Sequence, residues 1–262
     1  MRFASLGSGS EGNALVVELP AAGSAASGRF VLVDCGLNTR ETGRRLARLG
    51  LDLTGLQAIL VTHEHADHVG GVFRLAAATG APVHLTWGTM DGARHLAAFN
   101  EGACQLISPD RPFDLQGLGV RPFPVPHDAR EPVQFVFEDG DARLGLLTDI
   151  GRPTPHVVTA LGGLSALLLE CNHDRSMLAA GNYPPSLKRR IGGDYGHLEN
   201  SDAASILSAI DRRKLRSVVA AHLSRQNNRA DLARQALANV LDCAPDEIGV
   251  ADQDLGSGWL RA

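Results

Sequence analysis

The sequence predicts an α/β protein in which two β-sheets pack face to face and are covered by helices. The first half carries short β-branched and aliphatic runs separated by glycine-containing turns, the pattern of hairpins. Farther along, strand-like runs alternate with helical segments. No internal repeat and no linker long enough to separate domains interrupts the 262 residues, so residues 1–262 are expected to form one layered unit around a large core.

Taken in order, strands are expected at residues 2–6, 14–19 and 30–34. The Ala/Gly/Ser-rich stretch from Pro20 to Gly28 reads as an elongated hairpin loop. A helix over 39–49 leads into a strand at 57–62, where Ala58-Ile59-Leu60-Val61 has the character of a buried strand, and a small-residue helix follows over 66–79. Further strands are expected near 82–85, 104–107, 118–124, 132–138, 143–148, 165–169 and 217–221. Helices fit 88–98, 201–210 and 229–240.

Composition bounds the function. With 44% hydrophobic and 21% charged residues and no run of about 18 apolar residues, the chain has the makeup of a globular protein without a membrane span. The N-terminus lacks a long apolar leader segment, which makes the cytoplasm the expected location. Cys35, Cys104, Cys171 and Cys243 lie far apart, giving neither a zinc-ribbon spacing nor a disulfide framework, and read as reduced core residues. A net charge of -4 argues against a tight, nonspecific DNA binder held by a broad positive field.

The most informative segment is VTHEHADHVGG, Val61 to Gly71, which places His63, His65, Asp67 and His68 on an expected strand-to-helix turn. Imidazole nitrogens and a carboxylate oxygen are the donor set for zinc, manganese or iron. Packed this tightly they do not all reach one tetrahedral ion. His63 and His65 point to one side of an extended segment, and Asp67 and His68 follow about one turn later. Two metals roughly 3.5 to 4 Å apart fit better than one. The plainer alternatives are a solvated His-rich turn and a single structural ion. Three of the ten histidines within six positions weigh against the first. Further donors wait at expected strand ends: His127 after 118–124, Asp149 after 143–148 and His222 after 217–221. Each alone is a weak signal, since an Asp at a strand end more often serves a turn or cap, and it is their order and strand-end placement after the HxHxDH segment that sets them together.

The HxHxDH segment resembles the signature of the metallo-β-lactamase fold hydrolases. The resemblance implies an αββα four-layer sandwich, in agreement with the element pattern. It assigns His63, His65 and His127 to a first metal, Asp67, His68 and His222 to a second, and Asp149 to a bridge between them. The oxygen-reducing diiron members carry Glu where this chain has His65, so the resemblance argues against an oxidoreductase. Asp128 and Glu131 are expected either to support the ligands or to lie on the surface.

The likeness extends along nearly the whole chain. Gly7-Ser8-Gly9-Ser10-Glu11-Gly12-Asn13, Glu170-Cys171-Asn172-His173-Asp174, Gly196-His197-Leu198-Glu199-Asn200, and His222-Leu223-Ser224 followed by Asn227-Asn228 resemble the WalJ/YycJ branch. That branch implies a metal-dependent phosphodiesterase acting as a 5′ to 3′ exonuclease, with DNA favoured over RNA as substrate. Glu199 departs from the small polar residue expected in its motif, which puts the charge around His197 in question. Only 72 residues separate Asp149 from His222, too few for the inserted domain of the β-CASP nucleases.

On this reading two divalent transition-metal ions, zinc or manganese with iron also compatible, share a hydroxide that attacks phosphorus in line. Asp67 orients it or accepts its proton, and His197 donates to the scissile phosphate or the leaving oxygen. Ser8, Ser10 and Asn13 of the Gly-Ser loop are expected substrate contacts, since glycines let backbone N–H groups approach a phosphate, although a tight hairpin would use the same residues. Lys188, Arg189 and Arg190 are expected either to hold a nucleic acid backbone, Arg189 and Arg190 in particular, or to form the cationic end of a short helix. Arg212, Arg213, Lys214 and Arg216 present the same pair of readings. The rival functions are a small-molecule hydrolase of the same fold, acting on a cyclic phosphodiester, thioester or lactone, and a metal-binding regulatory protein without turnover.

Overall fold

The structure is a computed structural model that describes residues 1–20 and 28–262; the hairpin loop expected between Pro20 and Gly28 lies almost entirely outside the described residues. The chain opens with the antiparallel strands β1 (Arg2–Gly7), β2 (Ala14–Glu18) and β3 (Phe30–Val33). Helix α1 (Thr39–Arg48) starts at Asn38, whose side chain accepts from Glu41 N. The chain then continues through β4 (Leu56–Leu60), α2 (Ala66–Val69), α3 (Val72–Thr79), β5 (Val83–Leu85), α4 (Trp87–Ala93) and β6 (Cys104–Leu106), with β3 to β6 mutually parallel. The second sheet starts with the antiparallel strands β7 (Phe113–Leu115), β8 (Leu118–Pro124), β9 (Val133–Asp139) and β10 (Ala142–Leu147). It continues through α5 (Pro155–Ala160), β11 (Ala166–Glu170), α6 (Arg175–Ala180), α7 (Pro185–Ile191), α8 (Asn200–Ala209), β12 (Ser217–Ala221), α9 (Ala230–Leu241) and β13 (Gly249–Val250). Last, β14 (Leu260–Arg261) returns to the first sheet beside β1.

Among the described residues each sheet has seven strands, ordered β14-β1-β2-β3-β4-β5-β6 and β13-β12-β11-β10-β9-β8-β7. Alternate residues of one strand enter different cores, as the two-residue period of a strand requires. Val31 and Val33 pack between the sheets with Phe135, Phe137 and Leu168, whereas Phe30 and Leu32 pack outward with Leu46, Phe73 and Leu75. In the second sheet Leu168 points inward, and Leu167 and Leu169 face Ile206, Leu207 and Leu237 of the covering helices. Three apolar layers therefore separate four structural layers, and the αββα arrangement is what the sequence predicts.

Two elements differ from expectation. The helix over 66–79 is broken into α2 and α3 at Gly70-Gly71. Gly71 N donates to Cys35 O at 2.7 Å, and a Cβ on Gly71 would overlap the Leu37 carbonyl, so the backbone is drawn against the 35–37 turn. The helix over 88–98 ends at Ala93, and Ala98 adopts a positive φ of 66°. All four cysteines are free, Cys35 and Cys171 buried and the other two half-buried. Among the described residues no helix is long and apolar enough to cross a membrane.

Candidate metal centre

Strands β3, β4, β8, β10, β11 and β12 deliver their C-terminal ends to one edge of the sandwich, the usual place for ligands in sheets with parallel strands. Three residues just past such ends, Asp34, Asp149 and His222, have φ of 60°, 52° and 56°. Asp and His tolerate this left-handed region better than most residues, and its use here redirects their side chains into the site. Hydrogen bonds hold the turns: Thr62 N donates to Asp34 Oδ1, Ile150 N to Glu170 Oε2, and His222 N to Ser8 Oγ, at 2.8, 2.9 and 2.8 Å.

Two sets of donors result. His63 Nε2 and His127 Nε2 lie 3.0 and 3.2 Å from His65 Nδ1, so His63, His65 and His127 converge. Asp67 Oδ2 lies 3.5 Å from His68 Nε2 and 3.6 Å from His222 Nε2, which makes the second set. Asp149 stands between them, with Oδ2 3.1 Å from His68 Nε2 and Oδ1 3.9 Å from His127 Nε2. All seven expected ligands are thus brought to one place, and His63, His68, His127, Asp149 and His222 are buried.

The outer nitrogens show what the inner ones are for. His63 Nδ1 faces Thr62 Oγ1 at 3.0 Å, and that hydroxyl already donates to Asp34 Oδ2, so it accepts from His63. His68 Nδ1 donates to Asp34 Oδ2 at 2.9 Å, His127 Nδ1 to the Gly196 carbonyl at 3.0 Å, and His222 Nδ1 to Glu170 Oε1 at 3.0 Å. Each of these four imidazoles therefore turns an Nε2 lone pair inward, toward the carboxylates of Asp67 and Asp149. Among the described residues, His222 Nε2 and Asp149 Oδ2 are buried without a hydrogen-bond partner. Buried lone pairs and carboxylates facing one another require a cation, and the donor set fits divalent metal ions. Without metal, protons take that place. Burial opposes the charge on His222, yet the Asp149, Asp67 and Glu170 carboxylates raise it to about 10, and Asp149 and Asp34 likewise hold His68 well above the ordinary value. His63 falls well below, through burial and the charge of His68.

His197 lines the same cleft, and its Nδ1 donates to Glu170 Oε1 at 2.9 Å, the oxygen that also receives His222. Burial works against its protonation, but Glu170 raises it. The Glu199 carboxylate is turned away toward Arg175 and Ser201, so the departure from the expected motif leaves the charge at His197 untouched. Sequence reasoning missed two supports, Asp34 and Glu170. Asp34 closes an apolar strand and Glu170 opens the run Glu170-Cys171-Asn172-His173-Asp174, and those positions were the available signal.

Several expected substrate contacts are placed otherwise. Ser8 is buried, with its oxygen occupied by the His222 amide. Asn13 is also buried, its amide group bonding Gly9 O and approaching His68 Nε2 at 3.0 Å. Both build the site from behind. Ser10 and Arg190 do line the cleft, Arg190 with Nε 2.6 Å from Asp128 Oδ2. Arg189 is exposed on α7, away from the cleft lining, with no side-chain partner among the described residues. Lys188 donates to Ala179 O at 2.6 Å. Asp128 Oδ1 stands 3.5 Å from His127 Nε2, whereas Glu131 accepts from Gly88 N at the start of α4. Arg212 and Arg213 are taken up by Val240 O and Asp211. The cleft holds about 400 Å³.

A family profile described as the Beta-lactamase superfamily domain matches residues 29–222. Exodeoxyribonuclease YycJ of Bacillus anthracis is 34% identical over 250 residues, covering 92% of this chain and 89% of that protein. Exodeoxyribonuclease WalJ of Streptococcus pneumoniae serotype 2 is 31% identical over 252 residues, covering 95% and 91%. Among solved structures, the metallo-β-lactamase fold protein YhfI from Bacillus subtilis superposes with a TM-score of 0.71 over 100% of this chain and 98% of that one at 16% identity, which is a likeness of fold.

Proposed function

The chain belongs to the β-lactamase superfamily, in its YycJ/WalJ branch of metal-dependent hydrolases, and on that premise we propose that it is an exonuclease that cleaves DNA phosphodiester bonds from the 5′ end. The observation that carries this reading is the buried carboxylate of Asp149, which stands between the two donor sets in one cleft, with Oδ2 3.1 Å from His68 Nε2 and Oδ1 3.5 Å from His222 Nδ1 and 3.9 Å from His127 Nε2. His63, His65 and His127 would hold one divalent ion and Asp67, His68 and His222 a second, with Asp149 common to both. Nitrogen and carboxylate donors suit zinc or manganese, and also iron. Bound there, such ions supply positive charge for the phosphoryl oxygens and acidify a water molecule.

The chain's own groups do the remainder. Asp67 accepts the proton of the attacking water through the carboxylate that lies between His68 and His222. His197 is held by Glu170 through Nδ1, which leaves Nε2 to donate to the leaving oxygen. Ser10 and Arg190 contact the phosphate chain at the rim. A small-molecule hydrolase of the same fold, acting on a cyclic phosphodiester, thioester or lactone, is the second reading, favoured by the net charge of -4.

The test uses the purified, metal-loaded chain against 5′-labelled duplex DNA, single-stranded DNA, RNA, a cyclic nucleotide and a thioester. Stepwise shortening of DNA with about two metals per chain is expected, falling to about one in Asp67→Ala or His222→Ala. Turnover of the cyclic nucleotide or thioester alone would remove the nuclease reading. A stoichiometry of one in the wild type would remove the two-metal one.

A further inference from the structure

The cleft has a second wall of different chemistry. Tyr183, in the bend before α7, and Leu187 and Ile191, about one turn apart on α7, line it, an aromatic ring beside two aliphatic side chains. All three are half-buried, and none belongs to the apolar clusters that form the core. The fold thus leaves this apolar strip in the lining of the same cleft as His65, Asp67 and His222. Its position is fixed relative to the reacting groups. His197 N donates to Ile191 O at 2.8 Å, and a Cβ on Gly196 would overlap the carbonyls of Arg190 and Ile191, so α7 sits hard against the His197 loop. The Gly196 carbonyl in turn receives His127.

We infer that the α7 wall is a base-stacking platform: the ring of Tyr183, extended by Leu187 and Ile191, takes the base of the terminal nucleotide while its phosphodiester lies against the histidine and carboxylate clusters. Resting on the phosphodiesterase reading, this assignment names the substrate as an unpaired end. A volume of about 400 Å³ is near the lower end of ligand clefts, roughly 300 to 1,000 Å³, and accommodates one nucleotide without its paired partner. Every base has a π-face, so such a platform is tolerant of sequence. A terminal base must leave its partner before it is cut.

The experiment compares single-stranded oligonucleotides that differ only in the terminal nucleotide, ordinary or abasic, with KM and kcat measured separately on the metal-loaded protein. The wild type is expected to prefer the base-bearing end by about 5- to 150-fold, mainly in KM. Tyr183→Phe retains that preference, and Tyr183→Ala brings it close to one. Equal use of the two ends by the wild type overturns the platform, and that comparison needs no variant. So does an undiminished preference in Tyr183→Ala, or a loss in Tyr183→Phe as large as in Tyr183→Ala. Absence of DNA cleavage beside turnover of a cyclic nucleotide or thioester is a different result, which overturns the nuclease reading and the platform with it.

Discussion

At Glu170 one carboxylate oxygen receives both His197 Nδ1 and His222 Nδ1, and the other receives Ile150 N and Leu198 N. Burial opposes its charge, but the neighbouring His197 and His222 hold its pKa down to about 2, so it is an anion at neutral pH. One residue therefore orients a proposed ligand and a proposed proton donor. Substitution should separate the two roles. His197→Ala is expected to lower kcat by about 10²- to 10⁴-fold with metal content kept. Glu170→Gln is expected to lower kcat and also to weaken metal binding, by about 10- to 100-fold. Chelator competition and turnover on the same preparations check both. Metal loss in His197→Ala would instead make it a ligand, an arrangement open to it because Asp149, Glu170, His197 and His222 also converge. The sequence shows the inner donors more readily than their supports for a reason of spacing. Four of the seven lie within six residues, whereas Asp34 meets His68 across 34 residues and Glu170 meets His222 across 52. An acidic residue closing an apolar strand looks the same whether it caps a turn or holds a distant imidazole.

Helix α1 shows how an element far from the chemistry supports it. Its buried Arg45 donates to Leu6 O at 2.8 Å and Gln253 O at 2.6 Å. The Gln253 side chain in turn accepts from Glu11 N and donates to Gly12 O, which fixes the loop that carries Asn13 to Asp67 and His68. Glu41 holds Arg45 in place at 2.6 Å, and hydrogen bonds from Arg44 and then Arg45 bring its pKa from 4.5 down to about 2. A carboxylate depressed on folding contributes stability that is complete above its unfolded pKa and disappears as pH falls through the folded one. The stability difference between wild type and Glu41→Gln should accordingly be constant above about pH 5 and shrink toward zero near pH 2, as denaturant titrations at a series of pH values would show. A difference unchanged down to pH 2 would mean that the arginines act without the charge of Glu41. Element by element, most strands were legible because both of their faces are buried, which makes them continuous apolar runs, as in Phe30–Val33 and Ala166–Glu170, whereas β7, β13 and β14, only two or three residues long, gave no such run. Helices α5 and α6 were hidden because six residues hold too few turns for a 3.6-residue period to repeat, although α5 has Thr154-Pro155 and α6 has Asp174 at its start, whereas α7 is the short helix whose cationic end was expected at Lys188, Arg189 and Arg190.

Over the whole molecule, the four-layer architecture gathers strand ends on one edge and leaves the charge balance at -4, so the proposed attraction for DNA would have to come from local contacts. The cationic run before the His197 loop contributes less than its sequence suggests. Lys188 is tied to Ala179 O and Arg190 to Asp128, which leaves Arg189 without a partner among the described residues. Few phosphates are then neutralised. At about 0.9 per phosphate contact, the slope of log K against log salt should lie on the order of -2 to -4, so that raising salt from about 50 to 200 mM weakens binding only about 16- to 250-fold. Arg189→Ala should flatten the slope by about 0.9 if that side chain reaches a phosphate. Fluorescence anisotropy of a labelled oligonucleotide across a salt series measures both quantities, in a metal-loaded variant whose DNA cleavage has been blocked. A slope much steeper than -4 would require a broader positive surface than this chain has. A slope near zero together with no effect of Arg189→Ala would leave the cleft to recognise its substrate without the phosphate backbone, as a small-molecule phosphodiesterase does.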